Sequence, residues 1–125
     1  MIGYVTLGTN DMARTGEFYD ALLGEIGATR QIELERFIAW SVSPGTPMLW
    51  VIKPFDGAPA TVGNGVMVAL AVDSRDHVDR LHAKALSLGA SDEGAPGLRG
   101  DTFYGAYFRD PDGNKLAVFD KAFLG

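Results

Sequence analysis

The residues that could do chemistry are few. Two histidines, His77 and His82, lie in one segment of helical period, but five positions apart they do not share a face as i, i+4 metal ligands would. His82 falls on the apolar stripe of that segment and reads as a partly buried histidine satisfied by a local hydrogen bond, whereas His77 near the segment's start reads as solvated. The chain has no cysteine, which removes thiolate nucleophiles, disulfides and thiolate zinc sites together. No Gly-x-Ser-x-Gly elbow is present, and the Gly-rich "VGNGV" leads into a strand rather than out of one into a helix, so it is no phosphate cradle. What remains is aromatic surface and a few cations. Trp40, Trp50, Tyr4, Tyr104 and Tyr107 fall in strand-like runs, and Arg99 and Lys53 are the cations placed to meet an anionic ligand. Arg109 is expected to pair with Asp110 or Asp112, and Ser91 to Glu93 to form a solvated acidic turn.

The elements that must position these residues occur twice. "IGYVTLG" is a β-rich run, and the following segment switches to helical period with Met12, Phe18, Tyr19, Leu22, Leu23 and Ile26 on one face, capped by Asn10 or Asp11. Three further strand-like runs follow, "TRQIELE", "RFIAWSVS" and "PMLWVIK", the last two separated by "SPGTP". After a turn-rich stretch, "VMVALAV" leads through the cap candidates Asp73 and Ser74 into a second amphipathic segment with Val78, Leu81, His82, Ala85 and Leu88 in a stripe. The copies align: Tyr4 and Met67 stand equally far before Asp11 and Ser74, both helical segments end in Gly-Ala, and "MLWVIK" matches "KLAVFD" with Trp50 on Ala117. "YFRDPDGNKLAVF" reads as a hairpin in which Pro111 presets the turn and Gly113 takes a positive φ. Residues 91–102, "SDEGAPGLRGDT", are expected to form a mobile Gly-rich loop.

Composition sets the outer limits. The 125 residues predict a single domain, with modules of about 1–57 and 64–125, and the apolar and charged fractions are those of an ordinary globular protein. A net charge of -5 without any Lys/Arg cluster argues against nucleic acid or an anionic membrane as partner. The start "MIGYVTLG" carries no basic n-region and no membrane-length apolar run, which predicts a cytosolic protein.

A tandem β-α-β-β-β pair with "FYDALLG" in its first helix, "EGAPGLRG", and "YFRDPDGNKLAVF" at its end resembles the vicinal oxygen chelate superfamily, which includes glyoxalase I, bleomycin-resistance proteins and extradiol dioxygenases. The resemblance implies an α+β fold in which two βαβββ modules form a curved eight-stranded mixed sheet around a cleft, commonly in a homodimer. Enzymes of this superfamily usually hold a divalent metal through His and Glu on the first and last strands of each module. Carried over, those positions fall on Tyr4, Met67, Trp50 and Ala117, none of which is a usual ligand, so the expectation is no metal and no cofactor. With the family ligand positions pointing there, Tyr4, Trp50 and Met67 are expected to line the cleft, with Tyr107, Ala117, Arg99 and Lys53 completing the candidate site, whereas Phe37 and Trp40 are expected mainly to pack. The favoured function is binding of a small aromatic or amphipathic molecule. The alternatives are a glyoxalase-like lyase or isomerase, or a dioxygenase, with unconventional metal ligands or none and Tyr4 or Tyr107 as base, and a protein acting through association.

Overall fold

A computed structural model describes residues 1–125, which divide into two compact units, Met1–Val62 and Gly63–Gly125. The N-terminal unit runs β1 (Tyr4–Gly8), α1 (Met12–Gly24), β2 (Thr29–Glu33), β3 (Phe37–Ser41) and β4 (Met48–Ile52). The C-terminal unit repeats that order with β5 (Val68–Val72), α2 (Arg75–Ser87), β6 (Ser91–Arg99), β7 (Phe103–Arg109) and β8 (Lys115–Asp120), and ends in a short 3-10 turn, Lys121–Leu124. Each unit is a four-stranded mixed sheet, ordered β1-β4-β3-β2 and β5-β8-β7-β6, in which the first strand lies parallel to the last and the other pairs are antiparallel.

The two helices are built from the same devices. Asp11 caps α1 by accepting from the Arg14 amide at 3.0 Å, and Ser74 caps α2 by accepting from the His77 amide at 3.1 Å. Each helix is followed by a glycine in the left-handed region, Gly27 at φ +80 and Gly89 at φ +102. Behind these glycines the Ala28 amide reaches the Leu23 carbonyl and the Ala90 amide the Ala85 carbonyl, both at 3.0 Å, the six-to-one bond of a Schellman stop. The Gly-Ala pairs seen in the sequence are thus the same C-terminal stop used twice.

Strand alternation decides what each helix covers. In the N-terminal unit Tyr19 of α1 meets Trp40 at 5.6 Å between ring centroids, and Trp40 donates its indole N–H to Asp20 at 2.9 Å. A Cβ at Gly16 would come within 2.8 Å of the Arg30 guanidinium and 3.3 Å of Ile38, so the helix sits close on the Ile38 and Trp40 side of β3. In the C-terminal unit His82 packs edge-on to Phe108 and Tyr104 donates to Asp79 at 2.7 Å, which sets Tyr104, Ala106 and Phe108 toward α2. Trp50 pairs with Ala39, and Ala117 with Tyr107, in the alternate positions; these residues therefore face away from the helices.

Three local expectations are corrected. Residues 91–99 form a paired strand rather than a loop; Gly94 and Gly97 sit where its register with β7 shifts, so the glycines mark bulges inside a strand. Arg109 pairs with Glu93 and donates to the Gly113 carbonyl at 2.9 Å, not to Asp110 or Asp112, because the bulged strand brings Glu93 alongside it. Asp92 and Glu93 form no turn: both lie in β6, where Asp92 is hydrogen-bonded with His82 and Glu93 is paired with Arg109. The final hairpin forms as expected, with Gly113 at φ +93 and the buried Asp110 carboxylate accepting from the amides of Asp112 and Asn114 and from the Asn114 side chain.

Candidate functional site

The helix-free face of the N-terminal sheet carries a column of aromatic rings. Trp50, on β4, lies between Tyr4 of β1 and Phe37 of β3, stacked on them at centroid distances of 4.3 Å and 4.4 Å with interplanar angles of 17° and 7°. Diagonal pairing produces this column: Tyr4 registers with Met48 and Phe37 with Ile52, one step either side of Trp50 on the same face. Ala39, directly opposite Trp50, has no bulk to push the indole off the sheet. Phe37, expected mainly to pack, is therefore a member of the exposed column, while Trp40, one alternation away, is buried as expected.

Two features of this face bear on binding. The Trp50 indole N–H is buried without an acceptor, an uncommon state for a strong donor. At the Tyr4 end a pocket of about 460 Å3 opens between Tyr4, Met48, Ile32, Ser41 and Pro44, mostly apolar in its walls. Tyr4 is 53% exposed, so one ring face of the column meets solvent beside that pocket. Lys53 follows β4 and lies elsewhere, in a second depression of about 430 Å3 near Asn10, Arg36 and Phe55. Its amide pairs with the Arg36 carbonyl, which continues the ladder and places the Lys53 position on the alternation opposite to Ile52. Tyr4 and Trp50 thus come together, and Lys53 does not join them.

In the C-terminal unit the corresponding face has a small residue where the N-terminal one has an indole, and its rings Phe103 and Phe119 stack at 5.5 Å beyond it. Ala117 is fully buried and pairs with Ala69 on β5 and Tyr107 on β7. Met67 precedes β5, outside the strand, and is 44% exposed. Arg99 folds back along its own strand, donating to the carbonyls of Ala95, Gly97 and Gly105 at 2.7, 2.8 and 3.3 Å, and its guanidinium lies 5.4 Å from the Tyr107 ring centroid. The Lys115 ammonium lies 5.5 Å from the same centroid. Lys115 stood outside the sequence expectations because its position, next to the hairpin turn, gave no sign that β7 would set Tyr107 beneath it. Tyr107, Arg99 and Ala117 therefore share one face, and Met67 is separate from the strand that pairs with Ala117.

Two perturbed carboxylates lie between a helix and its sheet. Asp20 is held below the usual carboxylate range, chiefly by its two hydrogen bonds from Arg30 and then by the Trp40 indole. Asp92 is lowered first by the Gly94 amide and then by His82. Both are pairs that fasten an element to the sheet, α1 to β2 and α2 to β6.

A glyoxalase-like domain model matches residues 4–119. The chain belongs to the glyoxalase-like family. Its fold is that of the glyoxalase/bleomycin-resistance proteins of the vicinal oxygen chelate superfamily. A glyoxalase/bleomycin resistance protein from Albidiferax ferrireducens T118 is 36% identical over 96% of this chain and 98% of that one, with a TM-score of 0.87. A glyoxalase/bleomycin resistance protein/dioxygenase family enzyme from Burkholderia phytofirmans PsJN is 22% identical, covering 94% and 96% of the two chains at a TM-score of 0.77. A lactoylglutathione lyase from Agrobacterium tumefaciens is 20% identical over 100% and 96%, at 0.74, a likeness of fold. No curated protein matches the sequence.

The residues of this family member do not fit a divalent metal. No three His, Asp or Glu side chains converge anywhere in the chain to hold one. At the matching positions of the two last strands, one unit places an indole clasped between two rings and the other a buried methyl group.

Proposed function

We propose that this glyoxalase-like protein is a ligand-binding member of its family that works without a bound metal, and that it takes a small aromatic or amphipathic molecule on the helix-free face of its N-terminal sheet. The observation that carries this reading is the column Tyr4, Trp50 and Phe37, which ends in a half-exposed phenol beside an apolar pocket. A planar ligand laid on Tyr4 extends a stack that already exists, so little side-chain ordering is required at the moment of binding. Met48 and Ile32 supply adaptable apolar walls, and the Tyr4 and Ser41 hydroxyls supply polar tips that fix orientation. A homodimeric state and a cytosolic location belong to the same proposal.

The test is a titration with a panel of planar aromatic compounds, read by tryptophan fluorescence. Trp40 is buried and bonded to Asp20, so changes are expected to come from Trp50 and to vanish in Trp50→Phe. Thermal shift with Ni, Zn, Mn, Fe and Co is expected to leave the melting temperature unchanged. Stoichiometric metal retained at neutral pH would overturn the metal-free reading, and an unresponsive Trp50 across the panel would overturn the choice of face. Light scattering on the purified protein checks the dimer.

A further inference from the structure

The C-terminal sheet face has a different chemistry, which the aromatic reading does not use. Lys115 and Arg99 both lie over the Tyr107 ring, within 5.5 Å of its centroid. Neither has a carboxylate partner, although the chain carries a net charge of -5 and the neighbouring Arg109 is neutralised by Glu93. Lys121 is likewise matched, to Asp73. Both cations are half-buried against the same ring, where each gives up part of its hydration with no carboxylate to offset it.

The backbone is shaped to hold that arrangement. Side-chain atoms at Gly94 would come within 2.9 Å of the Tyr107 ring and 3.2 Å of the Arg99 guanidinium, and at Gly97 within 3.2 Å of the same guanidinium. The lack of a Cβ at these two positions leaves room for the Arg99 guanidinium beside β6 and Tyr107. Three backbone carbonyls fix the guanidinium in place while its Nε–H and one Nη2 hydrogen remain without an acceptor. A cation held in advance, with donors to spare, is the usual preparation for an oxyanion.

We propose that Lys115, Arg99 and the Tyr107 ring form an oxyanion-binding site in the C-terminal unit, which takes a carboxylate or a phosphate group of a small molecule. Lys115 acts as the mobile point charge and Arg99 as the fixed donor, while Tyr107 supplies the surface between them. The residues of this site all belong to the C-terminal unit and those of the aromatic column to the N-terminal unit.

The experiment is a titration of isotope-labelled full-length protein with benzoate and with inorganic phosphate, followed by amide NMR. Saturable shifts confined to residues 94–99, 107 and 115 are expected, weakening as ionic strength rises. Lys115→Met is expected to reduce affinity roughly tenfold, since one charge-assisted contact is lost, with the fold intact because this side chain is half exposed. Gly97→Ala, which displaces the guanidinium without removing a charge, is expected to weaken binding as well. A preference for benzoate assigns a carboxylate, and a preference for phosphate assigns a phosphate. Absence of saturable shifts with either anion at moderate ionic strength, or an unchanged affinity in Lys115→Met, would overturn the proposal.

Discussion

At Trp50 the last strand of the N-terminal sheet carries an indole held between two other rings; at Ala117, the matching place on the C-terminal sheet, it carries a methyl group. The backbones around them agree. Trp50 pairs with Thr6 on the parallel neighbour and Ala117 with Ala69, the same step of the same ladder. The helix-facing sides agree too, with Trp40 and Ile38 in one unit and Phe108 and Leu116 in the other, all buried. The faces turned from the helices diverge most: the column around Trp50 in one, and in the other Ala117, the Phe103–Phe119 stack and Tyr107 with its two cations. A helix and a sheet need only one apolar face each to hold together, so the remaining face is free to take up chemistry.

That comparison can be broken at several points. If the two helix-facing sides are equivalent, Trp40→Ala and Phe108→Ala should each cost about 3–5 kcal/mol in chemical denaturation, whereas truncations on the opposite faces should cost markedly less. A large cost for Tyr4→Ala, equal to that of Trp40→Ala, would show that the aromatic column is a second core rather than a binding surface. The two units differ at the turn before their last strands, since only the C-terminal one is organised by a buried carboxylate. Asp110→Ala, which orphans the Asp112 and Asn114 amides, should cost about 2 kcal/mol, and Ser43→Ala at the N-terminal turn should fall within the scatter of surface changes.

The helix stops should behave alike. Gly27→Ala and Gly89→Ala each force a side chain into the left-handed region and should lose roughly 1 kcal/mol apiece, measured by thermal unfolding. The smallest effect is electrostatic. Asp20 titrates lower in the folded chain than in the unfolded one, so its contribution is present above the ordinary carboxylate range and is lost as pH falls through the folded value. The pair is partly exposed, which limits that contribution to at most about 1 kcal/mol. In Asp20→Asn the decline in stability on acidification below roughly pH 4 should flatten accordingly.

Much of this was legible in the residues themselves. Period and capping chemistry are local, and they located both helices, with Asn10 or Asp11 and Asp73 or Ser74 as cap candidates, of which Asp11 and Ser74 accept the amides. The repeat was legible because both copies use the same glycine stop and the same strand register. The loop assigned to residues 91–102 failed for a physical reason: three glycines and a proline argue against a strand only where no neighbour is present to pair with it, and β7 supplies that neighbour from Ser91 to Arg99, with the bulges absorbing two register shifts. Arg109 went to Glu93 instead of to its sequence neighbours because the bulges in β6 carry Glu93 across.

The sequence by itself determined the duplicated β-α-β-β-β order, the helix ends, the final hairpin and the absence of His or Glu at Tyr4, Trp50, Met67 and Ala117, since each of these depends on residue type and near-neighbour spacing. Only the tertiary structure decided that Tyr4, Trp50 and Phe37 stack into one column, and that Lys115 joins Arg99 over Tyr107. Those residues lie on different strands, and their contacts follow from diagonal register across a paired sheet, which no single segment encodes.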